Sequence, residues 1–157
     1  MLNQLLPATI DNTYTGRKLG LWLLAIVLAV KLLQIAIVFV DGPGVVGSAD
    51  GIPLDTFSAG AAQTVVAAFI GMGISRLLIV ILCAIVLLRY RSAVPFVFLL
   101  LALHDLAREL VLQQVRTGTP IGPYVNWALF VLILAGLASS VPIASRERER
   151  TIAARSL

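Results

Sequence analysis

Lys31, Gln34, Arg76, His104, Asp105, Arg108 and Glu109 lie inside runs of sequence that are otherwise apolar. A lone charge at the centre of a hydrocarbon layer costs roughly 2.5–3.5 kcal/mol on insertion scales, so such residues must be paired or hydrated. Together they offer three cations on three helices for an anion, two carboxylates and an imidazole for proton transfer, and an amide for orientation. The same set can also do no chemistry and hold helices in register, because buried ion pairs fix partner choice without adding much stability.

Their spacing argues for one site. Lys31 follows Lys18, Arg76 precedes Arg89 and His104 follows Arg91 by the same number of residues. On a helix rising about 1.5 Å per residue that separation is roughly 20 Å. All three therefore reach a common depth near the middle of a bilayer, with Asp105 beside them and Gln34, Arg108 and Glu109 about one turn further out. Leu101, His104, Asp105, Arg108, Glu109 and Leu112 share one helical stripe. On that stripe Asp105 is within reach of Arg108 and Glu109, and His104 is within reach of Arg108. Lys31 and Arg76 are the expected interhelical partners of the two acids. Lys31, Arg76 and Arg108 outnumber Asp105 and Glu109 by one positive charge. Water, a small anion or an anionic lipid is expected to offset it.

The elements that position these residues are four apolar stretches, at about 19–40, 59–88, 94–115 and 124–141. The 157-residue chain is 59% hydrophobic and 13% charged, with mean hydropathy +0.98. A soluble domain carries about 25% charged residues, so lipid is the expected solvent. Each stretch is close to the roughly 20 residues that cross a bilayer as a helix, and backbone buried in lipid must satisfy its own hydrogen bonds. The expected fold is all-α: a polytopic membrane protein forming one domain, an antiparallel bundle of four transmembrane helices. Ser92 is expected to cap the third helix, with Pro95 in its first turn. Thr119-Pro120 precedes the fourth helix and Pro142 ends it. Gly71-Met72-Gly73 is the expected bend in the long second stretch. The second and third helices, joined by a short turn around Arg91, are expected to pack side by side. Arg76 and Asp105 should then meet.

Basic residues set the orientation. Arg17, Lys18, Arg89, Arg91, Arg146, Arg148, Arg150 and Arg155 fall at one end, and the other end holds Arg116. The basic end, with both termini and the tail 145–157, is expected to be cytoplasmic in a bacterial-type inner (plasma) membrane. Trp22 and Tyr90 are placed at the inner interface, and Tyr124 and Trp127 at the outer one. The first stretch is too long for a signal h-region and contains Lys31, so it is read as a retained helix.

Several readings are set aside. The net charge of +4 is not gathered into a nucleic-acid stripe, so no nucleic-acid partner is expected. One cysteine, Cys83, and one histidine, His104, cannot build a disulfide framework or a multi-histidine metal centre within one chain. No metal or cofactor is expected. Asp41, Asp50 and Asp55 in the long loop lack an EF-hand pattern and are read as solvated acids. Gly42, Gly44 and Gly47 follow no strand and make no dinucleotide fingerprint. Ser75, Ser139 and Ser140 have no base in reach. Ala67, Gly71 and Ser75, and likewise Gly136 and Ser140, form small-residue faces suited to close helix packing.

Three function classes remain. The first is an oligomeric transporter or channel for a small solute or ion. The second, nearly level, is a non-catalytic subunit or assembly factor of a larger membrane complex. A lipid- or quinone-acting enzyme, with His104, Asp105 and Glu109 as acid–base groups, comes third.

Overall fold

The computed structural model describes residues 9–141, all helix, turn and loop without strands. The tail and Pro142 lie outside the described residues. Four long helices are present: α1 (Lys18–Val40), α2 (Ala59–Arg89), α3 (Val94–Leu112) and α4 (Gly122–Ser140). Three of them, α1, α2 and α4, are long and apolar enough to cross a membrane. The third is not as apolar, because Asp105, Arg108 and Glu109 fall within it. Most of the apolar surface points outward. Only 17% of the apolar window of α2 is buried, and Leu78, Ile81, Leu82 and Leu88 lie exposed along it. So much exposed apolar surface is a liability in water and ordinary in lipid.

Hydrogen bonds between chain-distant residues mark the two ends. At the basic end Arg17 N–H donates to Ser139 O at 3.0 Å. Tyr14 Oη–H donates to Ser140 Oγ at 3.0 Å, and burial pushes the Tyr14 phenol above its ordinary pKa. Ser92, expected as a helix cap, instead clips the N-terminal segment: it accepts from Asp11 N–H at 3.0 Å and donates to Asp11 O at 2.9 Å. A 3-10 turn, Arg91–Ala93, leads into α3, and Pro95 occupies its first turn. Proline fits there because the first-turn N–H groups have no partner in the helix.

Helix α1 packs on α2 along one side and on α4 along the other, and α3 packs on α4. The expected α2–α3 pairing is not found: these two make far fewer contacts than either makes with its main neighbour. The short turn joins their ends and does not hold the rest of them together. A gap thereby opens along the bundle toward the end opposite the basic residues. The basic half is closed by a core of Leu24, Val27, Phe98, Leu101 and Ile133, each at most 1% exposed. Phe98 packs so closely on Gly136 that any Cβ there would clash with its ring, so the small residue sets how closely α3 and α4 approach. Helix α2 is continuous from Ala59 to Arg89, with no break in it at Gly71–Gly73.

At the far end the chain between α1 and α2 folds back over the helices. A turn, Gly42–Gly44, continues into a π-helical segment, Val45–Ala49. Gly51 then adopts φ +73°, a conformation that side chains disfavour, and its carbonyl accepts from Thr117 N–H at 2.9 Å and Thr117 Oγ1 at 3.0 Å. Val46, Ile52, Phe69 and Leu112 form a small core beneath this loop.

Candidate functional site

The gap left by the helix arrangement holds a cavity of about 40 Å³. Its walls carry Lys31, Gln34, Arg76, His104, Asp105, Arg108 and Glu109, so residues from α1, α2 and α3 that share a depth in the sequence also share a void. Asn126, Trp127 and Phe130 of α4 complete the lining, with the two rings edge to face at 5.6 Å. A second, roomier cavity of about 230 Å³ lies toward the folded-back loop. Gln34, Arg76, Arg108 and Asn126 line both and form a polar waist between them. Across the waist Gln34 Nε2 donates to Asn126 Oδ1 at 3.3 Å, tying α1 to α4.

The ion pairs keep one expected partner, Lys31, and change the others. Asp105 does not meet Arg76. It accepts from Lys31 Nζ through both oxygens, at 2.7 and 2.8 Å. His104 Nδ1 lies 3.1 Å from Asp105 Oδ1, so the imidazole turns to its sequence neighbour and away from Arg108. Arg108 reaches across to the loop, donating from Nη2 to both oxygens of Asp50 at 3.1 Å. Glu109 is held by Arg116, with Nη1 on Oε1 and Nη2 on Oε2 at 3.2 Å. Arg116 also stands 3.9 Å from Asp50.

Asp50 therefore corrects the reading of the loop. It is 4% exposed and is not a solvated acid, whereas Asp41 and Asp55 are exposed. Asp41 accepts from Gly44 N–H at 3.0 Å and serves the local turn. Asp50 and Arg116 are the charged members of the site that sequence reasoning missed, and Asn126 is a polar one. A signal was present in the need of Arg108 for a second carboxylate. With both added, Lys31, Arg76, Arg108 and Arg116 face Asp50, Asp105 and Glu109, and the excess is still one positive charge. The structure identifies it. Each acid is engaged by Lys31, Arg108 or Arg116, while Arg76 has no ion pair or hydrogen bond among the described residues. The Nε atoms of Arg108 and Arg116 are also buried without an acceptor.

Among the described residues no three His, Cys, Asp or Glu side chains converge as metal ligands would. The Cys83 side chain is buried in the core on α2. The small-residue faces divide: Gly136 and Ser140 are buried in helix contacts, but Ala67, Gly71 and Ser75 lie exposed, and a Cβ at Gly71 would meet open space. Comparison with known protein families, curated proteins and solved structures finds no match.

Proposed function

We propose that this chain is a polytopic membrane protein whose four helices cross the bilayer antiparallel, and that it carries a small solute through the polar waist. The observation that supports this most directly is the pair of cavities meeting at Gln34, Arg76, Arg108 and Asn126. A register lock alone needs paired charges and no void. The charges of α3 do not prevent it from being the fourth span. Asp105, Arg108 and Glu109 each have an opposite charge within the protein, and Leu100, Leu103, Leu106 and Leu110 supply an exposed apolar face. Its residues 94–112, at about 1.5 Å each, give roughly the thickness of the hydrocarbon layer. The basic end is assigned to the cytoplasm by its arginines and lysine. The exposed Ala67–Gly71–Ser75 face of α2 suits contact with a second copy.

Two labelling experiments test this on a Cys83→Ala background. For topology, Ser48→Cys should react with an impermeant maleimide in intact cells, and Arg89→Cys only after permeabilisation. Reaction of Arg89→Cys from outside would invert the orientation. For the passage, Gln34→Cys and Asn126→Cys should react with a small water-soluble thiol reagent, while Leu100→Cys on the outer face should not. Silence at both waist positions would remove the solute reading.

A second reading has its own support. The uncovered Ala67–Gly71–Ser75 face and the mutual pairing of most charges also suit a non-catalytic subunit of a larger complex. In that case the waist stays dry, and the same labelling separates the two. No observation favours the lipid- or quinone-acting enzyme.

A further inference from the structure

We propose that the waist binds an amphiphilic monoanion, with its head group on Arg76 and its apolar body along the cleft between α2 and α3. The inference rests on the reading of the cleft as a ligand site, and it names the class of ligand. Three observations lead to it.

The first is charge. Lys31, Arg108 and Arg116 engage Asp105, Asp50 and Glu109, so the acids at the site are already occupied. Arg76 is the cation left without a partner among the described residues. An ionised guanidinium deep within an apolar bundle is expensive unless an anion or water meets it. The excess of one positive charge calls for one negative charge, so a monoanion balances the site and a dianion would reverse it. A cationic ligand would meet repulsion.

The second is position. Arg76 on α2 and Arg108 on α3 line both cavities, and the Nε of Arg108 is buried without an acceptor. Its Nη2 is already committed to Asp50, but an oxyanion in the waist can take Nη1 of Arg108 together with the guanidinium of Arg76. Carboxylate and phosphodiester oxygens suit this planar, multi-donor geometry better than a single-point halide does.

The third is the wall beyond the head group. Ile79, Val80, Leu101, Leu106, Trp127 and Phe130 line the cavity on the core side. This void of about 40 Å³ takes only the part of a body nearest its head group, and the rest lies in the apolar cleft between α2 and α3, with the polar groups left to orient it. Because α2 and α3 are not packed along their length, such a body is able to enter from the surrounding lipid.

The shared chemistry is one negative charge on oxygen attached to an apolar body. A free alkyl carboxylate and a phosphodiester lipid both have it. The test is thermal unfolding of the purified full chain in phosphatidylcholine nanodiscs, in separate arms with added decanoate, with phosphatidylglycerol as a minority lipid, and with inorganic phosphate. Decyltrimethylammonium serves as the cationic control. The midpoint is expected to rise by several degrees with decanoate, phosphatidylglycerol or both, and the arm that responds identifies the source. Inorganic phosphate and the cation should leave it unchanged. Arg76→Gln should abolish the rise, and Arg76→Lys should retain part of it. In phosphatidylcholine alone Arg76→Gln should be at least as stable as the parent, because it removes an uncompensated charge. A marked loss of stability there would reveal a partner for Arg76 and overturn the proposal. So would an anion response that survives Arg76→Gln, or no response in either amphiphile arm. Labelling of Gln34→Cys and Asn126→Cys keeps the two readings apart: a wet cleft without an anion response refutes the ligand class alone.

Discussion

Lys31→Leu should destabilise the folded chain by roughly 3–5 kcal/mol, as should Asp105→Leu, because each leaves a charge without its partner in a low-dielectric setting. The geometry is the reason to expect the upper part of the range. Lys31 Nζ lies 2.7 and 2.8 Å from the two oxygens of Asp105, and the side chains are 14% and 13% exposed. Water therefore screens the pair poorly. In Lys31→Leu the carboxylate retains only the contact with His104 Nδ1, 3.1 Å away. The double variant, Lys31→Leu with Asp105→Leu, should recover most of the loss, since both charges leave and leucine fills comparable space. Thermal unfolding in a neutral detergent and accumulation in the membrane are the measurements. Arg76→Leu combined with Asp105→Leu should show far weaker coupling, because Arg76 does not contact Asp105. Additive losses in the Lys31 pair, or strong coupling in the Arg76 pair, would contradict the arrangement of α1, α2 and α3.

The second large effect belongs to Asp50. Asp50→Asn should cost several kcal/mol, and Asp55→Asn, a few residues away, should stay within about 0.5 kcal/mol. Asp50 is nearly sealed from solvent and receives two hydrogen bonds from Arg108, with Arg116 close by. Removing its charge leaves Arg108 without an acid and Arg116 with Glu109 alone. Breaking a buried pair in this way costs about 3–5 kcal/mol by comparison with soluble proteins. The loss should also loosen the loop, since Gly51 is tied to Thr117 directly beside it. Faster protease cleavage between α1 and α2, at a site left intact in Asp55→Asn, is the structural readout. Equal behaviour of the two variants would return Asp50 to the solvated acids.

The contrast between Asp50 and Asp55 shows where sequence reasoning stopped. Both sit among Gly and Pro in a loop without periodicity, and nothing in their local pattern separates them. Asp50 becomes buried because the loop folds over α3 and α4, a long-range event that positions Gly51 against Thr117. The Arg76–Asp105 expectation failed for a related reason. A tight turn brings two helix ends together, but the faces that meet beyond it depend on packing. Gly136 under Phe98 draws α3 onto α4, which leaves α2 to pack on α1.

The sequence by itself determined the helices, the apolar character of α1, α2 and α4, and the common depth of Lys31, Arg76, His104 and Asp105. It also determined the excess of one positive charge. These properties are local or additive: hydropathy is summed along a segment, helical rise converts residue number into depth, and charge is counted. Only the tertiary structure decided which acid meets which base, which cation is left over and where the cavities lie. Those depend on the rotation of each helix about its axis and on the neighbour it finds. Apolar side chains facing outward all round constrain neither, whereas a glycine beneath a phenylalanine ring and a buried loop aspartate constrain both.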